Sequence, residues 1–252
     1  MSSRSAFARA SCFLTAFAAT SHPTPAAAAD PAPAMKTGIV LDRLSQKELR
    51  QWRSIEHLIR TSRPDGTAPS PTLRGLWEWA TRSGNAIYIE LSAPDCAAMS
   101  TAGRFLIERV DPRAARHVGV ILLCLANIDR VPARGGERLA NGLVRFAGLG
   151  KTGRYAVILG HELAHAAYDF ASPERARMVE ERVEAVNVQF VTHRAEHGSA
   201  PPDPSLQQRL KDRDVLLEEL EAHADSIELL IWRELAEARG SIHPVSGSPP
   251  PA

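Results

Sequence analysis

The sequence predicts an α+β fold, a small mixed β-sheet packed on a helical half. Three observations carry this. Ala86 to Leu91 and Val118 to Leu125 are short apolar runs rich in β-branched residues, as strands require. From Thr152 to Arg239 the apolar residues recur at helical spacing. No linker between these halves is marked enough to split them into separate domains.

The elements follow in order. Ser45-Gln-Lys-Glu48 has a hydroxyl at the N-cap and Glu three residues later, a capping box. Leu49, Trp52, Ile55, Leu58 and Ile59 follow on one face, so residues 45–60 form an amphipathic helix. Arg63 to Pro71 is a Pro/Gly loop, and Thr72 to Thr81 is a short helix. Ser83-Gly-Asn85 is a turn into the strand 86–91. The stretch 95–131 is ambiguous. Asp111-Pro112 has the chemistry of a helix start, while Val118 to Leu125 favours a strand. Gly135-Gly136 marks a turn, and Leu139 to Phe146 suits a strand at a sheet edge. Helices are expected over Tyr155–Phe170, Met178–Arg194 and Leu206–Arg239, with a Pro-rich loop at 198–205.

The chain has 252 residues, 30 Lys+Arg and 29 Asp+Glu. A balance this even argues against binding nucleic acid or an anionic membrane through bulk charge. No apolar run reaches roughly 18 residues, so no transmembrane helix is expected in the mature chain. Arg4 and Arg9, the apolar run Ala10 to Ala19 and the small residues Ala26 to Ala29 have the order of an export signal. The expected organisation is a signal peptide over 1–29, a linker over 30–40, one domain over 41–239 and a disordered Gly/Ser/Pro-rich tail over 240–252. Export would place the protein in the periplasm or outside the cell. There Cys96 and Cys124 could pair, although the sequence alone does not decide it.

His161-Glu-Leu-Ala-His165 is an HExxH motif in an apolar helical stretch. Residues four apart share a helix face, so both imidazoles can reach one metal ion. Glu162 is turned about 100° from His161 at 3.6 residues per turn, and can act on a water beside the metal. Zinc lowers the pKa of such a water towards about 7, and Glu162 is the expected general base. Burying two His and a Glu without partners would cost several kcal/mol, and one zinc per chain supplies the partner.

Catalytic zinc takes a third protein ligand. In Glu221-Ala-His-Ala-Asp225 the acids stand at i and i+4. Glu221 can bind the metal, while Asp225 can accept the remaining ring N–H of a ligand His, with His161 the expected recipient. The alternative third ligand is Glu184, 19 positions after His165. Tyr168, His193 and His223 are available as oxyanion stabilisers, and nothing in the sequence selects one.

Ala156-Val-Ile-Leu-Gly-His-Glu-Leu-Ala-His165 and Glu221-Ala-His-Ala-Asp225 resemble the HExxH and ExxxD motifs of gluzincin zinc metallopeptidases. The HtpX-like and CAAX-prenyl-protease-like members are the most similar. Ala133-Arg-Gly-Gly136 is a weaker echo of the turn and edge strand before the family's zinc helix. The resemblance implies a zincin-like domain with His161, His165 and Glu221 as ligands, Glu162 as base and Asp225 behind the ligands. It also implies an edge strand near Leu139–Phe146 that could pair with an extended peptide. The expected function is that of an exported zinc endopeptidase acting on polypeptide. The alternatives are a non-catalytic zinc-stabilised binding protein and a helical interaction protein in which the motif is accidental.

Overall fold

A computed structural model describes residues 36–92, 96, 101–111, 116–130, 146 and 148–240, with the side chains of 109–111 and 116 left aside. Among the described residues the chain is α+β. The strands are β1 (Gly38–Val40), β2 (Ala86–Leu91), β3 (Gly103–Asp111) and β4 (Arg116–Leu123). The helices are α1 (Gln46–Arg60), α2 (Pro71–Arg82), α3 (Leu125–Arg130), α4 (Lys151–Ala171), α5 (Pro173–His197) and α6 (Pro204–Ala238).

The sheet is mixed, in the order β1-β2-β4-β3. β2 runs parallel to β1 and β4, and β3 runs antiparallel to β4. Ile87, Ile89 and Leu91 of β2 alternate with Tyr88 and Glu90, so the apolar set faces the main core. Ile121 and Leu123 of β4 join them there.

The helix ends follow their local chemistry. Ser45 accepts from the Glu48 N–H, and the Glu48 carboxylate accepts from the Ser45 N–H, completing the capping box. Ser70 caps α2 by accepting from the Leu73 N–H, with Pro71 at the first helical position. Asp203 accepts from the Ser205 and Leu206 N–H groups to open α6. Trp52 and Ile55 of α1, Leu73 of α2 and Trp232 of α6 are almost completely buried. Each such side chain contributes roughly 1.5–3 kcal/mol of transfer free energy.

α4 is the centre of the molecule. It touches the sheet through β3 and β4, and it also touches α1, α2 and α6. Thirteen of its residues are buried, which explains the continuous apolar composition of its middle. Gly160 faces both α6 and α2. A Cβ there would run into Ile231 of α6 and lie 3.3 Å from Leu73 of α2. A glycine therefore lets α6 settle onto α4.

Several expectations are corrected. A strand, β1, occupies 38–40 within the stretch expected to be linker; its three residues are too few to show a period. Of the ambiguous Asp111-Pro112 pair, Asp111 is the last residue of β3 and Pro112 lies outside the described residues. Val118 to Leu123 lies in β4 as favoured, but Leu125 begins α3. The expected signal peptide, the turn at Gly135-Gly136, all of the expected edge strand except Phe146, and the tail beyond Gly240 lie outside the described residues. No described helix is long and apolar enough to cross a membrane.

Candidate metal centre

The site lies between α4 and α6. His161 and His165 stand one turn apart on α4, and their Nε2 atoms are 3.1 Å from each other. Glu221 projects from α6, with its Oε2 3.5 Å from His161 Nε2 and 3.9 Å from His165 Nε2. The three donor atoms thus form one compact group. Donors held about 2.0–2.1 Å from a tetrahedral zinc lie about 3.3 Å from one another. The observed separations bracket that value, and two imidazole nitrogens with a carboxylate oxygen are a zinc-type donor set. His161, His165 and Glu221 therefore fit a zinc ion.

The other ring nitrogen of His161 faces further carboxylates. Nδ1 is 3.1 Å from Glu228 Oε2 and 3.6 Å from Asp225 Oδ1. The Asp225 side chain is 59% exposed, whereas that of Glu228 is 5% exposed. Glu221, Asp225 and Glu228 are spaced i, i+4, i+7, one stripe of α6 over two turns. Glu228 is the functional candidate that the sequence reading missed. The signal available was that the acidic stripe continues past Asp225 among Ile227, Leu229 and Ile231.

Glu162 points elsewhere. It is 4% exposed and touches β3, where the Phe105 backbone N–H donates to its carboxylate. Burial pushes its pKa up to about 8; His161 and the Phe105 hydrogen bond oppose that shift, while Glu221 and Glu228 add to it. For His161, burial disfavours the charged ring, but the carboxylates of Glu221 and Glu228 close to its ring nitrogens, with the charge of Glu162, outweigh it. Its pKa is raised to about 10. Both directions belong to the metal-free protein, in which a proton on His161 balances the acids.

The remaining candidates separate clearly. Glu184 is exposed on α5 and belongs to neither carboxylate–imidazole group. His193 lies 3.1 Å from the Ala200 carbonyl oxygen and stacks near His197, at the end of α5. The Tyr168 and His223 rings are 5.9 Å apart, three residues beyond His165 and two beyond Glu221 respectively. Cys96 and Cys124 form a disulfide. It ties the segment before β3 to the end of β4, and Asn127 donates to the Cys96 and Thr101 carbonyls across the same loop.

No protein-family model matches the chain, and neither a curated protein nor a solved structure matches it.

Proposed function

We propose that this protein is an exported zinc endopeptidase hydrolysing polypeptide. The observation that carries the reading is the convergence of His161, His165 and Glu221 on one point, with the buried Glu162 next to His161 on the same helix. A purely structural zinc site is closed by four protein ligands, whereas a catalytic one keeps a position open. Here three donors converge, and Glu221 and His165 are 28% and 18% exposed.

A zinc ion held by these residues would supply Lewis-acid polarisation of a carbonyl and acidify water. Every other role belongs to the chain. His161 and His165 offer neutral Nε2 lone pairs, with the Glu228 and Asp225 carboxylates facing His161 Nδ1 and favouring the tautomer that carries its proton there. Glu162 takes the proton from the attacking water and delivers it to the leaving amine. A raised pKa suits both halves of that task, because the ideal value lies near the operating pH. Among the described strands β3 is outermost beside β4, and an extended polypeptide adding to its edge would lie beside Glu162. The Cys96–Cys124 disulfide supports an oxidising compartment, consistent with export.

The test is metal content and cleavage of fluorescein-labelled casein by the purified chain, with Glu162→Gln alongside. The expected result is about one zinc per chain in both. Cleavage by the variant should fall at least about 100-fold. Zinc in both with no cleavage by either would favour the non-catalytic binding protein. Absence of zinc from the native chain, with chelators excluded, would overturn the metal reading.

A further inference from the structure

We propose that Gly103 is a positioning residue for Glu162, leaving on β3 the slot in which the carboxylate sits. The inference rests on Glu162 being the general base of the proposed reaction.

Gly103 is the first residue of β3 and pairs with Leu123 of β4. Its φ is not in the left-handed region, so backbone conformation does not demand a glycine there. Space does. A Cβ at this position would lie 2.5 Å from Glu162 Oε1, 3.0 Å from Glu162 Cγ and 2.8 Å from Ile158 Cγ2. Carbon atoms pack at about 3.5–4.0 Å, so a methyl group needs roughly 1 Å of relief.

Little can give way. Ile158 is 4% exposed within the main core. β3 is held by its ladder to β4, and the Cys124 N–H donates to the Ala102 carbonyl at 2.9 Å. The remaining movement is for Glu162 to swing off the strand, away from the Phe105 N–H that donates to it. Ile158 and Glu162 stand at i and i+4 on the face of α4 that meets β3. The ligands His161 and His165 meet α6 instead, as their contacts with Glu221 show. A methyl group at position 103 should therefore displace the base and spare the metal.

The experiment compares wild type, Gly103→Ala, Glu162→Ala and the double variant for zinc content and Tm, with labelled-casein kinetics on the first two. Gly103→Ala should keep about one zinc per chain. Its kcat should fall about 100-fold with KM within about twofold, as a displacement of about 1 Å at a reacting group predicts. Its Tm should fall by about 5 °C, and by much less when the carboxylate is absent in the Glu162→Ala background. If Gly103→Ala does not fold alone, folding of the double variant supplies the same coupling.

Equal Tm losses in the two backgrounds, or failure of both to fold, would overturn the proposal, because Ile158 alone would then account for the glycine. Unchanged kcat in Gly103→Ala would also overturn it. A wild type that holds zinc and cleaves nothing defeats the peptidase reading instead, while the Tm cycle still decides where Glu162 sits.

Discussion

Replacing Glu228 by Gln should weaken zinc binding more than replacing Asp225 by Asn. Both acids reach His161 Nδ1, at 3.1 Å and 3.6 Å, so distance alone separates them little. Environment separates them strongly. Glu228 is 5% exposed, and Coulomb's law at an effective dielectric of about 20 gives about 5 kcal/mol for a unit positive charge at that distance, an upper bound on its attraction to the partial charge that a bound metal would draw onto the His161 Nδ1–H. Asp225 is 59% exposed, and at the dielectric of water the same law gives about 1 kcal/mol. Net values are smaller, because each carboxylate loses hydration, but the ranking survives.

Carboxylates behind a ligand His are worth about 10–100-fold in metal affinity. Glu228→Gln keeps the volume and one accepting oxygen, so its loss should sit near the lower end, about tenfold. Glu228→Ala should approach about 100-fold. Asp225→Asn should change affinity by less than about threefold, and that small effect should vanish as NaCl rises from about 0.1 to about 0.5 M. The assay is competition for zinc against a chromophoric chelator at fixed pH, run at both salt concentrations. A larger loss for Asp225→Asn than for Glu228→Gln would refute the reasoning and return the supporting role to Asp225.

The chelated protein should lose Tm as pH rises from about 6 to about 9. His161 has its folded pKa raised from 6.5 to about 10, so its stabilising proton is fully present below 6.5 and lost as pH climbs through that window. Glu162 acts in the same direction between 4.5 and about 8, because its ionised form is disfavoured by burial. Zinc should reverse the slope, since it needs deprotonated imidazoles; thermal melts with and without metal across the pH range would show it. Gly160→Ala should destabilise by about 1–3 kcal/mol despite alanine's better helix propensity, because the methyl meets Ile231 at the α4–α6 contact; urea titration measures this. Cys96→Ser with Cys124→Ser should cost about 3–4 kcal/mol for a closed loop of 28 residues, and unchanged urea stability would exclude a persistent disulfide.

The helices were legible because their signals are local. A capping box, proline at the first turn and apolar residues at i, i+3, i+4 sit within one window, and α1, α2 and α6 begin within a few residues of those signals. β3 was not legible, and the ladder says why. Its register shifts between Ile107 and Arg109, so the alternation that marks a strand is broken partway along. The following Asp-Pro pair then imitates a helix start. α3 has six residues, fewer than two turns, and cannot display a period. Within the site, His161, Glu162, His165 and Glu221 could be found by spacing, because one helical turn brings i and i+4 together. Gly103 could not, since its contact with Glu162 depends on how a strand lies across a helix distant in sequence.

Charge accounting supports the proposed divalent cation. Glu162, Glu221, Asp225 and Glu228 bring four carboxyl groups around two imidazoles, and Glu162 and Glu228 are each 4% exposed. In the metal-free protein the surrounding carboxylates raise the His161 pKa, and burial raises that of Glu162. A dication held by His161, His165 and Glu221 would supply two positive charges against Glu221 and Glu228, with His161 giving up its proton to bind it. Its field would also favour ionised Glu162, the form in which that residue accepts a proton from water in the proposed reaction. Metal binding and readiness of the proposed base would thus be coupled through the same buried acids. Removing Glu228 should therefore disturb both the affinity for zinc and the pH at which Glu162 begins to act.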